Sequence, residues 1–346
     1  MMTNIAARAG LAFAVSGIAL LCPPAGLHAE TAADFYAGKT VKIIVATQAG
    51  TGFDTYGRLL GKHLGQHIPG NPAVIVQNMP GASGLTAANW MANVAPKDGT
   101  IIATIPFTVP FEPLLDEGRG RFDAPKLTWI GNMDSSVSIC TVATKLGLKS
   151  FDDVMKREVI VGGTGHAGPL VQVPRALKSL VGAKLKIIDG YKGSSAVKLA
   201  VQRGELHGVC GISYSTVRTS YADVHSSGEM RMILQVGPEP HPDLKGLTHV
   251  YQYARNPEEK QVFDLIFGTQ GLGRSYVAAA GIPTVRAAAL REAFMATLSD
   301  AQFRADAKQA KLELRPQSGE AVQAFVARLY ASPKAVVERA RAVFKE

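Results

Sequence analysis

The stretch that decides the reading is 41–104, VKIIVATQAGTGFDTYGRLLGKHLGQHIPGNPAVIVQNMPGASGLTAANWMANVAPKDGTIIAT. It contains one event twice: an apolar run feeds a glycine-rich turn that opens a helix. VKIIVA leads into QAGTGFD and TYGRLLGKHL, and AVIVQN leads into MPGASG and LTAANWMANVA. Two β-turn-α units of this kind aim two helix N-termini, with their unpaired backbone N–H groups, at the same edge of a sheet. That edge is where an anion would sit.

Working outward, GTIIATIPF reads as a third strand that ends at Pro106 and Pro110, and Phe107 falls in the loop that follows. LTWIGNM and VSICTVAT are further strands, and the polar residues 134–136 between them mark the first expected domain boundary. FDDVMKRE reads as a short helix with Ser150 as its N-cap. The chain then alternates: EVIVGG, LKIIDG, HGVCGIS and EMRMILQVG are strands, separated by helices in 164–182, 191–205 and 215–228. Such alternation argues an α/β fold with a parallel, doubly wound sheet. From Asn256 onward the texture is mostly helical. One long Ala-rich helix is expected over 282–310, and Ser318 is expected to cap the closing helical segment.

At 346 residues two domains are expected. The first 29 residues carry Arg8, a short apolar run and small residues ending at Ala29, the order of a signal peptide cleaved there. Bulky Leu21 before Cys22 argues against a lipoprotein. A soluble exported chain is the expectation, since no other run approaches the length of a membrane span. Removing 1–29 takes away one charge, Arg8, and lowers the net charge from +9 to +8. That balance favours anionic ligands or surfaces. Its Lys and Arg are scattered without interleaved aromatics, so no nucleic-acid partner is expected. Cys140 and Cys210 either pair or stay as two separate buried thiols.

Several motifs compete. The first turn does not fit a nucleotide P-loop, because Gly61-Lys62 is followed by His63 and Tyr56 stands where a glycine is needed. Its Asp54 either reaches a ligand or supports the helix N-terminus. Ser83 is no nucleophile elbow, being followed directly by Gly84. A literal G-x-G-x-x-G occupies 163–168, and Asp189 ends the next strand where a ribose-binding acid belongs. Pro169 and Pro174 early in the helix and an exported chain speak against a dinucleotide. Tyr191-Lys192-Gly193-Ser194-Ser195 either offers hydroxyls and N–H groups to a ligand or forms a plain helix cap. His63 and His67 lie four apart, but lack a third ligand, so they are expected to face solvent rather than hold metal. No catalytic residue, metal or cofactor is assigned.

These residues together resemble a known family, the periplasmic substrate-binding receptors of tripartite tricarboxylate transporters, or Bug proteins. AGTGFD, YGRLLGKHLGQHIPGNP, VQNMPGASG with its AANW helix, APKDGTIIAT, GYKGSSAVKLAVQRGELHGV and GIPTVRAAALREAF carry the resemblance. It implies a two-lobed periplasmic-binding-protein fold of the type II, Venus-flytrap kind, each lobe a doubly wound mixed sheet flanked by helices. Lobe 1 is then 30–136 and 237–346, and lobe 2 is 137–236. It implies no catalysis, a small carboxylate ligand, membrane transporter subunits as partners, and a monomer in the periplasm. The ligand residues it implies are Gly50, Thr51, Gly52, Phe53 and Asp54, then Gly81, Ala82, Ser83 and Gly84, with Thr164, Gly165, His166 and Tyr191 on the far lobe. Gln48 and Phe107 complete the candidate set. The family usually has adjacent glycines in both turns, so Thr51 and Ser83 mark where ligand choice is expected to differ. Two other functions fit the same sequence: a ligand-presenting partner of a sensor without a transport role, and an exported dinucleotide-binding enzyme.

Overall fold

A computed structural model describes residues 30–115 and 118–345. The expected signal peptide, 1–29, lies outside the described residues. Eleven strands are described: β1 Thr40–Val45, β2 Ala73–Asn78, β3 Ile101–Thr104, β4 Thr128–Asn132, β5 Ser138–Ala143, β6 Val159–Gly162, β7 Leu185–Ile188, β8 Gly208–Ser213, β9 Met230–Val236, β10 Ser275–Ala278 and β11 Gln317–Ser318. They form a six-stranded sheet, ordered β11-β4-β10-β3-β1-β2, and a five-stranded sheet, ordered β7-β6-β8-β5-β9. The fold is thus α/β with two sheet-bearing lobes, the periplasmic-binding-protein architecture that the resemblance implies.

β1 sits between β2 and β3 with parallel pairing on both sides. Its VKIIVA run is buried almost throughout, as a strand covered on both faces requires. β10 runs antiparallel to β3 and to β4, so the sheet is mixed. The second sheet is mixed as well: β6 pairs parallel with β7 and β8, whereas β5 pairs antiparallel with β8 and β9. Strand-helix alternation alone predicts only the parallel part. It misses that β5 enters from the other sheet and pairs in the opposite sense.

β4 and β5 are neighbours in sequence but lie in different sheets. The segment joining them is pinned by 270–274: Met133 N–H donates to Arg274 O, Arg274 N–H to Asp134 O, Ser136 N–H to Gln270 O, and Ser138 N–H to the Gln270 side chain. Cys140 and Cys210 are directly opposed across β5 and β8 and form a disulfide, which settles the open question of their pairing.

Three local expectations are corrected. The long helix over 282–310 is two, Thr284–Ser299 and Ala301–Gln309, because Asp300 leaves the helical region and its side chain caps the second at Phe303 N–H. Ser150 provides no side-chain cap; the Asp153 carboxylate accepts from the N–H groups of Lys149 and Ser150 instead. His63 is buried rather than solvent-facing, with its ring against Phe303 and its Nε2 2.9 Å from Asp306. Ser318 does cap its helix, accepting from Ala321 N–H. Among the described residues no helix is long and apolar enough to cross a membrane.

Candidate functional site

A cavity of about 270 Å³ lies where the two sheets' loops meet. From the six-stranded side, the turn after β1 supplies Gln48, Thr51, Gly52 and Phe53, the turn after β2 supplies Gly81, Ala82 and Ser83, and the loop after β3 supplies Phe107. From the five-stranded side come Thr164 after β6, Tyr191 after β7, Ser213 at the end of β8 and Thr216 after it. Five helices open at this wall or one turn from it: Gly52–His63, Leu85–Asn93, Pro169–Ala176, Ser194–Gln202 and Tyr214–Arg218. Their N-terminal ends carry partial positive charge and donors that the helices themselves cannot satisfy. Among the described residues, the charged ones lining the cavity are Lys192 and Arg274, and no Asp or Glu lines it.

The first turn is built by hydrogen bonds. Thr51 is the N-cap of helix Gly52–His63, its hydroxyl accepting from Asp54 N–H at 3.4 Å. The Thr51 hydroxyl also lies 2.7 Å from that of Thr47 and bonds Gln48 O. The Asp54 carboxylate does not line the cavity. It accepts from Gly50 N–H at 2.9 Å, from Arg58 Nε at 2.9 Å and from Asn78 Nδ2 at 2.8 Å. Burial alone would push this carboxyl up, but the bonds from Arg58, Gly50 and Asn78 outweigh it and hold Asp54 below its ordinary range. Asn78 also donates to Thr47 O, so the end of β2 ties down the turn after β1. The N–H groups of Gly52 and Phe53 remain without a partner among the described hydrogen bonds.

The second turn is built differently. Gly81, Ala82, Ser83 and Gly84 all have positive φ, at 147°, 44°, 56° and 104°. Two non-glycine residues in the left-handed region store strain of about 1–2 kcal/mol each. This curl presents the Ser83 hydroxyl to the other lobe, where it donates to Thr164 O at 2.9 Å. Thr108 Oγ1 makes a second contact of this kind, to Ala167 O.

Arg274, immediately before β10, lines the cavity yet is only 2% exposed. Its guanidinium lies 4.4 Å from the Phe53 ring centroid and 4.9 Å from that of Tyr56. Its Nη2 donates to Ser213 Oγ at 2.8 Å and Ser215 Oγ at 3.0 Å. One cation therefore holds the first turn of one lobe against the helix following β8 of the other. Behind it, Asp134 is buried, with its carboxyl pushed up to about 7 by burial, against the opposing pull of Arg274.

Not every sequence candidate reaches the cavity. Asp54 braces the loop, as described. Gly50 spends its N–H on Asp54, and Gly84 packs against Pro106. Gly165 lies behind the wall, close to the Ser83 hydroxyl, and its N–H donates to Asp189. His166 turns toward Arg175, whose Nη1 lies 2.5 Å from the ring. The same bonds answer the dinucleotide motif: the Asp189 carboxylate accepts from Gly165 and Gly190 N–H, closing the loop on itself rather than facing a ribose. Sequence reasoning missed Arg274, Ser213 and Thr216. A lone Arg before a short apolar strand carries no periodicity or spacing that could flag it.

Away from the cavity, His241, Asp243 and Glu313 cluster closely enough to suggest a metal. Arg218 Nη1 already lies 2.6 Å from Glu313, and Arg315 Nη2 2.7 Å from the His241 ring. Two guanidinium groups thus take the place of a cation there.

The two lobes and the cleft between them define the class: a periplasmic-binding-protein fold. Solved structures like this one include Rpa4515 of R. palustris with adipate, at 18% identity and a TM-score of 0.68, covering 87% of this chain and 97% of that one. The periplasmic binding protein BugD matches at 19% identity and a TM-score of 0.67, covering 89% and 98%. In sequence, a protein of Cupriavidus necator described as a UPF0065 protein in the gbd 5' region is 34% identical over 103 residues. That match spans 30% of this chain and 29% of the relative. No family model matches.

Proposed function

We propose that this chain is a periplasmic receptor of the Bug family. It captures a small carboxylated organic anion between its lobes and delivers it to a tripartite tricarboxylate-type membrane transporter. The observation that carries the reading is the convergence of helix N-termini from both lobes on a cavity that, among the described residues, no acidic side chain lines. A carboxylate there gains charge-assisted hydrogen bonds from donors that are already oriented. Gly52 and Phe53 N–H on one turn, and the Ala82 and Ser83 backbone on the other, form the wall that receives it. The far lobe contributes Thr164, Tyr191 and the helix that Ser194 begins.

On this reading lobe 1 is 30–136 with 237–346, and lobe 2 is 137–236. The chain is exported with cleavage near Ala29, acts as a monomer, and performs no catalysis. Closure is a population shift toward the state that the ligand bridges, and the Ser83–Thr164 and Arg274–Ser213 bonds are its direct contacts. The likeness to BugD and to an adipate-bound protein supports this choice over an enzyme.

A thermal-shift screen with mono-, di- and tricarboxylates, nucleotides and amino acids tests it. A carboxylate at one hundred times its dissociation constant stabilises by about 2.7 kcal/mol. A clear shift with NAD and none with any carboxylate would overturn the receptor reading.

A further inference from the structure

The cavity's chemistry narrows the ligand beyond "a carboxylate". We infer that this receptor selects carboxylates with an apolar body of benzene-ring size, and discriminates against hydroxylated acids and amino acids. The inference rests on the receptor reading above, and deepens it.

Three observations carry it. First, Phe53, Phe107, Leu170, Ile212 and Tyr191 supply apolar wall from both lobes, and Phe107 and Ile212 are each 2% exposed. A ligand body resting there gains by removing apolar surface from water.

Second, several hydroxyls on one side of the wall are bonded to other groups of the protein. Ser83 donates to Thr164 O, Thr51 lies 2.7 Å from Thr47, and Ser213 lies 2.8 Å from Thr216 while accepting from Arg274. A ligand hydroxyl facing these pairs would have to disrupt one of them or stay unsatisfied, and an unsatisfied buried polar group costs about 1–3 kcal/mol.

Third, the lining includes cations and helix N-termini but, among the described residues, no carboxylate side chain. The ammonium of an amino acid would be buried beside like charge with no partner, which is strongly unfavourable. The volume sets the size. At ~30 Å³ per water, 270 Å³ holds about nine water-sized atoms. That matches small anions such as benzoate and malate alike, so the choice between them falls to the polarity of the wall rather than to size.

The test is isothermal titration of the signal-free chain with benzoate, adipate, malate, citrate and L-glutamate. Benzoate or adipate is expected to bind at least tenfold more tightly than each of the other three. Malate, citrate or glutamate binding as tightly as both apolar acids overturns this inference and leaves the receptor reading intact. Silence from all five sinks the receptor reading together with it. In Leu170→Asn, a polar partner on the wall is expected to shrink the benzoate-to-malate ratio at least threefold. An unchanged ratio there contradicts the role of the apolar wall.

Discussion

The turns 48–54 and 80–84 follow neighbouring parallel strands, β1 and β2, and face one cavity, yet they hold their shapes by different physics. The first is a hydrogen-bonded bracket: a buried carboxylate collects Gly50, Arg58 and Asn78, and a threonine caps the helix. The second has four successive positive φ values and a side chain anchored on the opposite lobe. A bracket is rigid before any ligand or partner arrives. A strained curl whose hydroxyl bonds the other lobe responds to whether the lobes meet. On the receptor reading proposed above, both turns offer backbone donors to the ligand and the second also couples to closure through Ser83, and four measurements break or sharpen that difference.

The largest effect is expected at Gly52. A Cβ there would lie 2.7 Å from Thr216 Oγ1 and 3.1 Å from Arg274 Nη2, so Gly52→Val props the lobes apart exactly where the bracket meets them. Carboxylate affinity should fall at least a hundredfold, about 2.7 kcal/mol, while the unfolding midpoint without ligand changes little. Wild-type affinity in this variant would remove the first turn from the site.

Next comes Asp54→Ala, which leaves Gly50 N–H and the Asn78 amide without their acceptor. Chemical denaturation should report a loss of about 2 kcal/mol. Because the Asp54 carboxyl is held below its ordinary value in the fold, its contribution is present above the ordinary carboxylate range and is lost as the pH falls through the lowered value. The wild type should therefore lose more stability on acidification than the variant.

Asp134 has the opposite sign. Its folded value, about 7, lies above the unfolded one, so the fold favours the protonated form, and stability declines as pH rises from about 4 through 7. Asp134→Asn should flatten that decline. Parallel pH slopes for variant and wild type would show that another group titrates.

The smallest effects separate strain from contact in the second turn. Ser83→Ala keeps the left-handed backbone and loses the bond to Thr164 O, which should cost about 1 kcal/mol. Ser83→Gly loses the same bond but relieves about 1 kcal/mol of backbone strain, leaving stability near wild type. Equal stabilities for the two variants would show that the curl is not strained.

How much of this was legible in the sequence differs between the two turns. Both were visible as glycine clusters between an apolar run and a helix, because that pattern is local. The role of Asp54 was left open, since a carboxylate in a first turn looks the same whether it faces a ligand or its own loop. Asn78, which decides the matter, lies 24 residues away across a strand pairing. His63 was misread for the same reason: its partner, Asp306, is 243 residues distant. Arg274 was invisible because its environment, two aromatic rings from one lobe and two serines from the other, exists only after the chain has folded. The family resemblance supplied the two-lobed architecture, which strand-helix alternation by itself would have rendered as parallel sheets.

A crystal structure of the chain with the carboxylate that binds most tightly tests the central claim most directly. The account predicts carboxylate oxygens within hydrogen-bond distance, 2.7–3.2 Å, of the backbone N–H groups at Gly52 or Phe53 and at Ala82 or Ser83, with the ligand's body against Phe107 and Leu170. A carboxylate bound instead at the 163–168 loop or on the outer surface, with the two turns facing only solvent, would contradict it.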